Sequence, residues 1–166
     1  MRVTHSFLRE TMMGPNAWTL AEELTCNLPI KKGMRILDLG CGRGLSSIFL
    51  AQKYETDVFA VDLWISPTDN YVRFQRMGVA QLTVPLQFDA TRLPFAENFF
   101  DAVVGIDSYH YFGNNDAYFE KVLKPTLKKG AIVALAFPGM KKEFHKNIPE
   151  EMKPLWDEES LQMSAA

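Results

Sequence analysis

The sequence ILDLGCGRG, residues 36–44, decides the fold, because an apolar run passes directly into a turn with three glycines in five residues. Such a run predicts a buried strand, and residues 45–52 follow it with the pattern of a helix. Glycine has no Cβ, so a ligand can lie against the turn and accept hydrogen bonds from its N–H groups. The stretch therefore predicts a strand, a ligand-binding turn and a helix.

The spacing of the glycines argues against one common ligand. A dinucleotide fingerprint has the form G-x-G-x-x-G, and Gly40 and Gly42 match its first two glycines. Leu45 stands where the third glycine is required. The sequence therefore disfavours an NAD(P)-binding oxidoreductase, which stays as the weaker alternative.

Acidic residues follow several of the apolar segments. Asp62 closes the segment 58–61 and lies 22 residues after Gly40, where a carboxylate can accept hydrogen bonds from two ribose hydroxyls. Asp89 and Asp107 stand at the ends of two later segments. Because the carboxyl ends of parallel strands meet at one edge of a sheet, we expect these side chains to converge on one crevice.

Short apolar runs alternate with helical patterns along most of the chain. The predicted strands are 35–39, 58–61, 84–88, 101–106 and 131–137, and the predicted helices are 17–28, 45–53, 68–77, 115–128 and 149–163. Residues 128–130, KKG, are expected to end a helix and begin the fifth strand. The alternation predicts an α/β fold, a parallel sheet with helices on both faces.

Three motifs together resemble the class I S-adenosylmethionine-dependent methyltransferases of the small-molecule type. They are DLGCGRG at 38–44, FDATRLPF at 88–95 and DSYHYF at 107–112, and the likeness runs from about residue 14 to residue 139. The resemblance implies a Rossmann-like sheet of strand order 3-2-1-4-5. The antiparallel strands 6 and 7 of that family have no counterpart in the sequence, which leaves open a truncated chain or a naturally minimal one.

The resemblance also implies S-adenosylmethionine as cofactor, with S-adenosylhomocysteine as its product. Asp38 would cap the glycine turn or hold the methionine end, Asp62 would bind the ribose, and Asp89 would accept from the adenine amino group. The full set of cofactor-binding candidates is Asp38, Gly40, Cys41, Gly42, Gly44, Asp62, Leu63, Asp89, Ala90 and Asp107.

The segment after the fourth strand is the candidate reactive wall, since family members place residues that face the methyl group there. Tyr109 and His110 are the candidate catalytic residues. A histidine titrates near neutrality and can take a proton from an acceptor, and aromatic faces attract a sulfonium. The alternative is that these aromatic residues pack in the core or against a helix.

The composition of the chain disfavours several classes of binding partner. The chain has 47% hydrophobic residues and a formal net charge of -2 without a basic stripe, which disfavours nucleic acid as a partner. Cys26 and Cys41 form no C-x-x-C pattern, so we expect reduced thiols, a cytoplasmic location and no metal site. The longest apolar run, 131–137, is far shorter than the roughly 20 residues that cross a bilayer, which predicts no membrane association.

The 166 residues are expected to form a single methyltransferase-like domain. It divides into an N-terminal lid or packing segment (1–33), a cofactor-binding core (34–139) and a C-terminal helical segment (140–166). An exposed fifth-strand edge or the last helix would allow a homo-oligomer.

The expected function is transfer of a methyl group from S-adenosylmethionine to a small-molecule nucleophile by in-line displacement. The sequence does not specify the acceptor or its nucleophilic atom (N, O, S or C). A module that binds S-adenosylmethionine without turnover is the second interpretation.

Overall fold

The fold is built on one parallel sheet. The structure, a computed structural model, describes residues 3–113, 116–139, 148–151 and 153–155. The strands are β1 (Arg35–Leu39), β2 (Asp57–Asp62), β3 (Thr83–Gln87), β4 (Phe100–Ile106) and β5 (Leu127–Ala136). Their order is β3-β2-β1-β4-β5 and every neighbouring pair is parallel. The predicted Rossmann-like α/β fold and its strand order are confirmed.

The helices connect the strands as crossovers and precede the first strand. They are α1 (His5–Thr11), α2 (Ala17–Thr25), α3 (Leu45–Tyr54), α4 (Pro67–Arg76) and α5 (Asp116–Tyr118). Thr4 and Asn16 cap α1 and α2 by accepting from backbone N–H groups in their first turns. In the described ranges, no helix is long and apolar enough to cross a membrane.

Apolar side chains cover both faces of the sheet. Ile36 of β1 packs in a cluster with α2, α3 and α4, whereas its neighbour Leu37 packs in a second cluster with Val103 and Leu123. This alternation follows from the period of two along a strand. Because both faces are buried, the carboxyl edge of the sheet is where a ligand can reach the strands.

The segment before β5 differs from the prediction. The predicted helix 115–128 is a short α-turn that continues as a π-turn (Phe119–Leu123) and a 3-10 turn (Lys124–Thr126), and β5 begins at Leu127 rather than at 131. The KKG sequence at 128–130 lies inside β5. The register jumps there, because Leu127 pairs with Phe100 and Ile132 with Ala102, and Gly130 (φ 79°) permits the irregularity.

The predicted C-terminal helix 149–163 lies mostly outside the described residues, which show a 3-10 turn at Lys153–Leu155.

Candidate active site

The glycine turn between β1 and α3 is locked by the protein itself. Gly40 and Gly44 have φ of 74° and 79°, a region that side chains rarely adopt. A Cβ on Gly40 would lie 2.4 Å from the Ser108 Cβ, and one on Gly44 would lie 2.5 Å from the Phe74 ring. These two glycines therefore admit neighbouring protein atoms to the turn.

Three N–H groups of the glycine turn already donate hydrogen bonds to acceptors within the protein. The N–H groups of Gly40 and Cys41 both donate to the Val61 carbonyl at 2.9 Å, and that of Gly42 donates to Asp62 Oδ2 at 2.8 Å. The sequence predicts that the turn offers its N–H groups to a ligand, and for these three the prediction is wrong. They tie the turn to β2 instead.

Asp62 ends β2 and organises the loop that follows. Its Oδ1 accepts from the N–H groups of Trp64 (2.9 Å) and Ile65 (3.0 Å), while Oδ2 accepts from Gly42. The side chain is buried, with 8% exposure. A carboxylate offers about four lone-pair directions, so three are used and one, on Oδ2, remains.

Asp38 lies beneath the turn rather than in front of it. Its Oδ2 accepts from the hydroxyls of Ser46 (2.7 Å) and Ser47 (2.5 Å) in the first turn of α3. Its Oδ1 is buried without a hydrogen-bond partner among the described residues. Burial raises the pKa of this carboxyl to about 6, and the two hydroxyls partly oppose that shift. Asp38 thus anchors α3 to β1.

A cavity of about 390 Å³ opens at the carboxyl ends of the strands. Eight of the predicted cofactor residues line it, namely Gly40, Cys41, Gly42, Asp62, Leu63, Asp89, Ala90 and Asp107. Asp38, Gly44, Tyr109 and His110 do not line it. Lining residues that were not among the predicted site residues include residues 11–15, Arg43, Trp64 and Ser108.

Asp89 begins a one-turn 3-10 helix (Ala90–Arg92) at one side of the cavity. Its Oδ1 accepts from the Thr91 N–H at 2.8 Å and from the Thr91 hydroxyl at 2.7 Å. These hydrogen bonds lower the pKa of the carboxyl, so it is ionised at neutral pH. The side chain is exposed to the cavity mouth and available to a ligand.

Asp107 follows β4 with φ of 53°, an unfavourable conformation for a residue with a Cβ. Its N–H donates to the Ala136 carbonyl at 2.7 Å. Its Oδ2 lies 3.1 Å from where a Cβ on Gly14 would stand. Strained backbone held by β5 therefore presents this carboxylate to the N-terminal segment over the cavity.

Neither Tyr109 nor His110 lines the cavity. The Tyr109 ring packs on Phe112, Tyr118 and Phe137 at centroid distances of 5.8 to 6.1 Å, and burial raises the pKa of its phenol. Within the described ranges, His110 Nδ1 is buried and makes no hydrogen bond. Tyr111 and Phe112, by contrast, line the cavity.

The N-terminal segment covers one side of the cavity. Arg43 of the glycine turn donates to the Glu10 carbonyl at 2.6 Å, and Arg76 of α4 forms a bidentate ion pair with the Glu10 carboxylate at 2.7 and 3.0 Å. These contacts hold the end of α1 beside the turn, so that residues 11–15 form part of the cavity wall.

Sheet order, glycine turn and acidic strand ends define a Rossmann-like ligand-binding domain of the class I methyltransferase type. A family model described as a methyltransferase domain matches residues 36–130, more than half of the chain. The chain belongs to this methyltransferase domain family. The resemblance to class I S-adenosylmethionine-dependent methyltransferases is thereby confirmed.

Individual relatives agree in class and differ in acceptor. The chain is 28% identical over 130 residues to phosphoethanolamine N-methyltransferase 1 of Triticum aestivum, covering 76% of this chain and 25% of that protein. It is 33% identical over 94 residues to a fatty-acid O-methyltransferase of Mycolicibacterium smegmatis, covering 56% and 33%. The chain thus matches a quarter to a third of these relatives' length.

The fold has a close counterpart among solved structures. A SAM-dependent methyltransferase from Aquifex aeolicus superposes with a TM-score of 0.67 at 21% identity, over 90% of this chain and 80% of that one. At 21% identity, this similarity supports the assignment of the fold alone.

Proposed function

We propose that this chain binds S-adenosylmethionine in the cavity at the carboxyl edge of its sheet and transfers the methyl group to a small-molecule nucleophile. One observation carries the proposal: the glycine turn, Asp62 and Asp89 come from three different strand ends and line one cavity of about 390 Å³. That volume falls within the range of small-molecule sites.

The residues present fit the parts of this cofactor. The lone pair that remains on Asp62 Oδ2 suits a ribose hydroxyl. Leu63 and Phe88 give an apolar surface for the adenine ring, and the ionised Asp89 suits its amino group. The glycine turn would then face the amino-acid end, with Asp38 supporting the turn from below.

When bound, the cofactor supplies a methyl group on a sulfonium, which is already a good leaving group. The remaining work of the chain is to orient the acceptor and to exclude water. Precise orientation alone is worth roughly 7 to 11 kcal/mol of an activation barrier. We assign the acceptor-facing wall to Asp107, Tyr111 and Phe112, which follow β4 and line the cavity. Tyr109 and His110 are then supporting residues behind that wall.

The mouth of the cavity favours an acceptor with an apolar part. Besides the two side chains assigned to the adenine ring, four large apolar side chains line the cavity and are exposed in the described structure: Met12, Met13, Trp64 and Tyr111. The Trp64 and Tyr111 rings meet edge to face with centroids 6.2 Å apart. Exposed apolar patches at a cleft are typical of ligand-binding surfaces. A fatty-acid acceptor, as in the Mycolicibacterium relative, has such a part.

A thermal-shift assay with S-adenosylhomocysteine tests the proposal. A ligand at about 100 times its Kd stabilises by roughly 2.7 kcal/mol, which for a chain of this size raises Tm by about 5 to 10 °C. We expect that shift for the intact protein and a much smaller one for Asp62→Ala. Because Asp62 also holds the loop, Asp89→Ala serves as a second variant that leaves Gly42 tied.

Two outcomes would change the assignment. A shift with NAD(P) and none with S-adenosylhomocysteine would restore the oxidoreductase alternative. A shift with S-adenosylhomocysteine but no methyl transfer to a broad panel of acceptors, alkyl-chain acids and amines included, would identify a binding module without turnover.

A further inference from the structure

A buried amide on α4 reaches the glycine turn from outside the cavity. Asn70 is 2% exposed, and its Nδ2 donates to the Gly42 carbonyl at 2.9 Å. The same nitrogen lies 3.7 Å from Cys41 Sγ. Asn70 does not line the cavity, so any influence it has on a bound molecule passes through the turn.

The orientation of this amide is determined by a neighbouring cation. Arg73, one turn further along α4, donates from Nη1 to Asn70 Oδ1 at 2.9 Å. A guanidinium group can only donate, so the amide oxygen must face Arg73 and the NH₂ group must face the turn. The hydrogen bond from Arg73 thereby turns the NH₂ group of Asn70 toward the Gly42 carbonyl.

Gly42 is held from both sides. Its N–H donates to Asp62 Oδ2 at 2.8 Å, and its carbonyl accepts from Asn70. Phe74, on the same face of α4, fills the space beside Gly44. The two peptide planes that meet at Gly42 are therefore fixed by β2 on one side and by α4 on the other.

We propose that Asn70 is a positioning residue for the methyl donor, which it serves by holding the glycine turn in the conformation that receives the donor's amino-acid end. This inference rests on the proposed function. Asn70 then acts on the part of the donor that faces the turn, and not on the adenosine part that faces Asp62, Leu63 and Asp89.

The test compares two ligands that differ in the amino-acid part. S-adenosylhomocysteine carries it and 5′-methylthioadenosine lacks it, and isothermal titration gives the Kd of each. Asn70→Asp keeps the size of the side chain and the oxygen that faces Arg73, but replaces the donor to Gly42 with a second acceptor. We expect the Kd for S-adenosylhomocysteine to rise about tenfold and that for 5′-methylthioadenosine less than about threefold.

Two further variants keep the result interpretable. Arg73→Met removes the group that orients the amide without touching Asn70, and we expect the same selectivity at a smaller size, about threefold. Gln75→Ala, an exposed position on the same helix, should leave both Kd values unchanged. If Asn70→Asp does not fold, Arg73→Met alone decides.

The outcomes separate this inference from the proposed function. Equal weakening of both ligands, or a lower Tm with both Kd values unchanged, would show a merely structural amide and overturn the inference while the proposed function stands. Failure of the unmodified protein to bind S-adenosylhomocysteine would overturn both.

Discussion

The two walls of the cavity are built differently. On the wall formed by the ends of β1 and β2, the glycine turn is tied by hydrogen bonds of 2.8 to 2.9 Å to Val61 and Asp62 and, from α4 behind the turn, to Asn70. On the wall formed by the segment after β4, Tyr111 is 65% exposed, and its ring meets that of Trp64, which is 68% exposed. The conformation of the first wall is fixed by hydrogen bonds within the protein, whereas the side chains of the second wall are exposed and can contact a ligand. Under the proposed function, the fixed wall faces the methyl donor and the exposed wall faces the acceptor, which suits relatives whose names give different acceptors.

The largest effect should come from adding a methyl group to the fixed wall. In Gly40→Ala the new Cβ would meet Ser108 Cβ at 2.4 Å at a φ of 74°. Backbone strain and overpacking together should lower the free energy of unfolding by about 4 kcal/mol, measured by urea titration.

Gly33→Ala is a matched control that separates the effect of the close contact from the effect of the positive φ. Gly33 has nearly the same φ, 75°, but no atom within 4 Å of the point where a Cβ would stand. Gly33→Ala should therefore cost only about 1 kcal/mol. Equal losses for the two variants would show that the turn is not tightly packed and would remove the contrast between the walls.

The second effect concerns Asp38 and depends on pH. Its pKa is about 6 in the fold, above the ordinary 3.8, so the folded protein holds a proton that the unfolded chain releases between these values. The stability that this group contributes is present below about pH 4 and is lost as the pH rises through 6. The shift corresponds to at most about 3 kcal/mol.

Asp38→Asn carries no titrating group, so it should lose less stability than the unmodified protein between pH 4.5 and pH 7.5. Urea unfolding at the two pH values measures the difference. Parallel pH profiles for the two proteins would show that Asp38 is ionised throughout and that the anchor beneath the turn is charged.

These comparisons also show which parts of the fold the sequence could predict. The strand, turn and helix at residues 35–54 carry their signal locally, as apolar period and glycine spacing, and they form as expected. The start of β5 differs from the prediction because Leu127 joins the sheet by pairing with Phe100, and no local pattern reports a partner 27 residues away.

Within the site, the acidic strand ends were predictable because each follows an apolar run. The roles of the glycines were not, since Ser108 and Phe74 approach Gly40 and Gly44 only once the chain has folded. The same holds for Asn70, which lies in an ordinary amphipathic helix and reaches Gly42 across 28 residues.

The smallest effect on stability should come from the exposed wall. Trp64→Ala removes an exposed ring, so the free energy of unfolding should change by no more than about 0.5 kcal/mol. If the apolar mouth receives the acceptor, the KM for an alkyl-chain acceptor should rise several-fold while the Kd for S-adenosylhomocysteine stays within about threefold. A large loss of donor affinity would instead assign Trp64 to the donor wall.

The hydrogen bonds that Asp62 already accepts have a consequence for sugar recognition. The sequence suggests a carboxylate that serves both hydroxyls of a ribose, but Trp64, Ile65 and Gly42 occupy three of its four acceptor directions. As long as the turn keeps its conformation, a single hydroxyl can engage this side chain. If Asp62 binds the ribose as proposed, the 2′ and 3′ hydroxyls of the nucleoside are unequal to this protein, and removing one of them should weaken binding far more than removing the other.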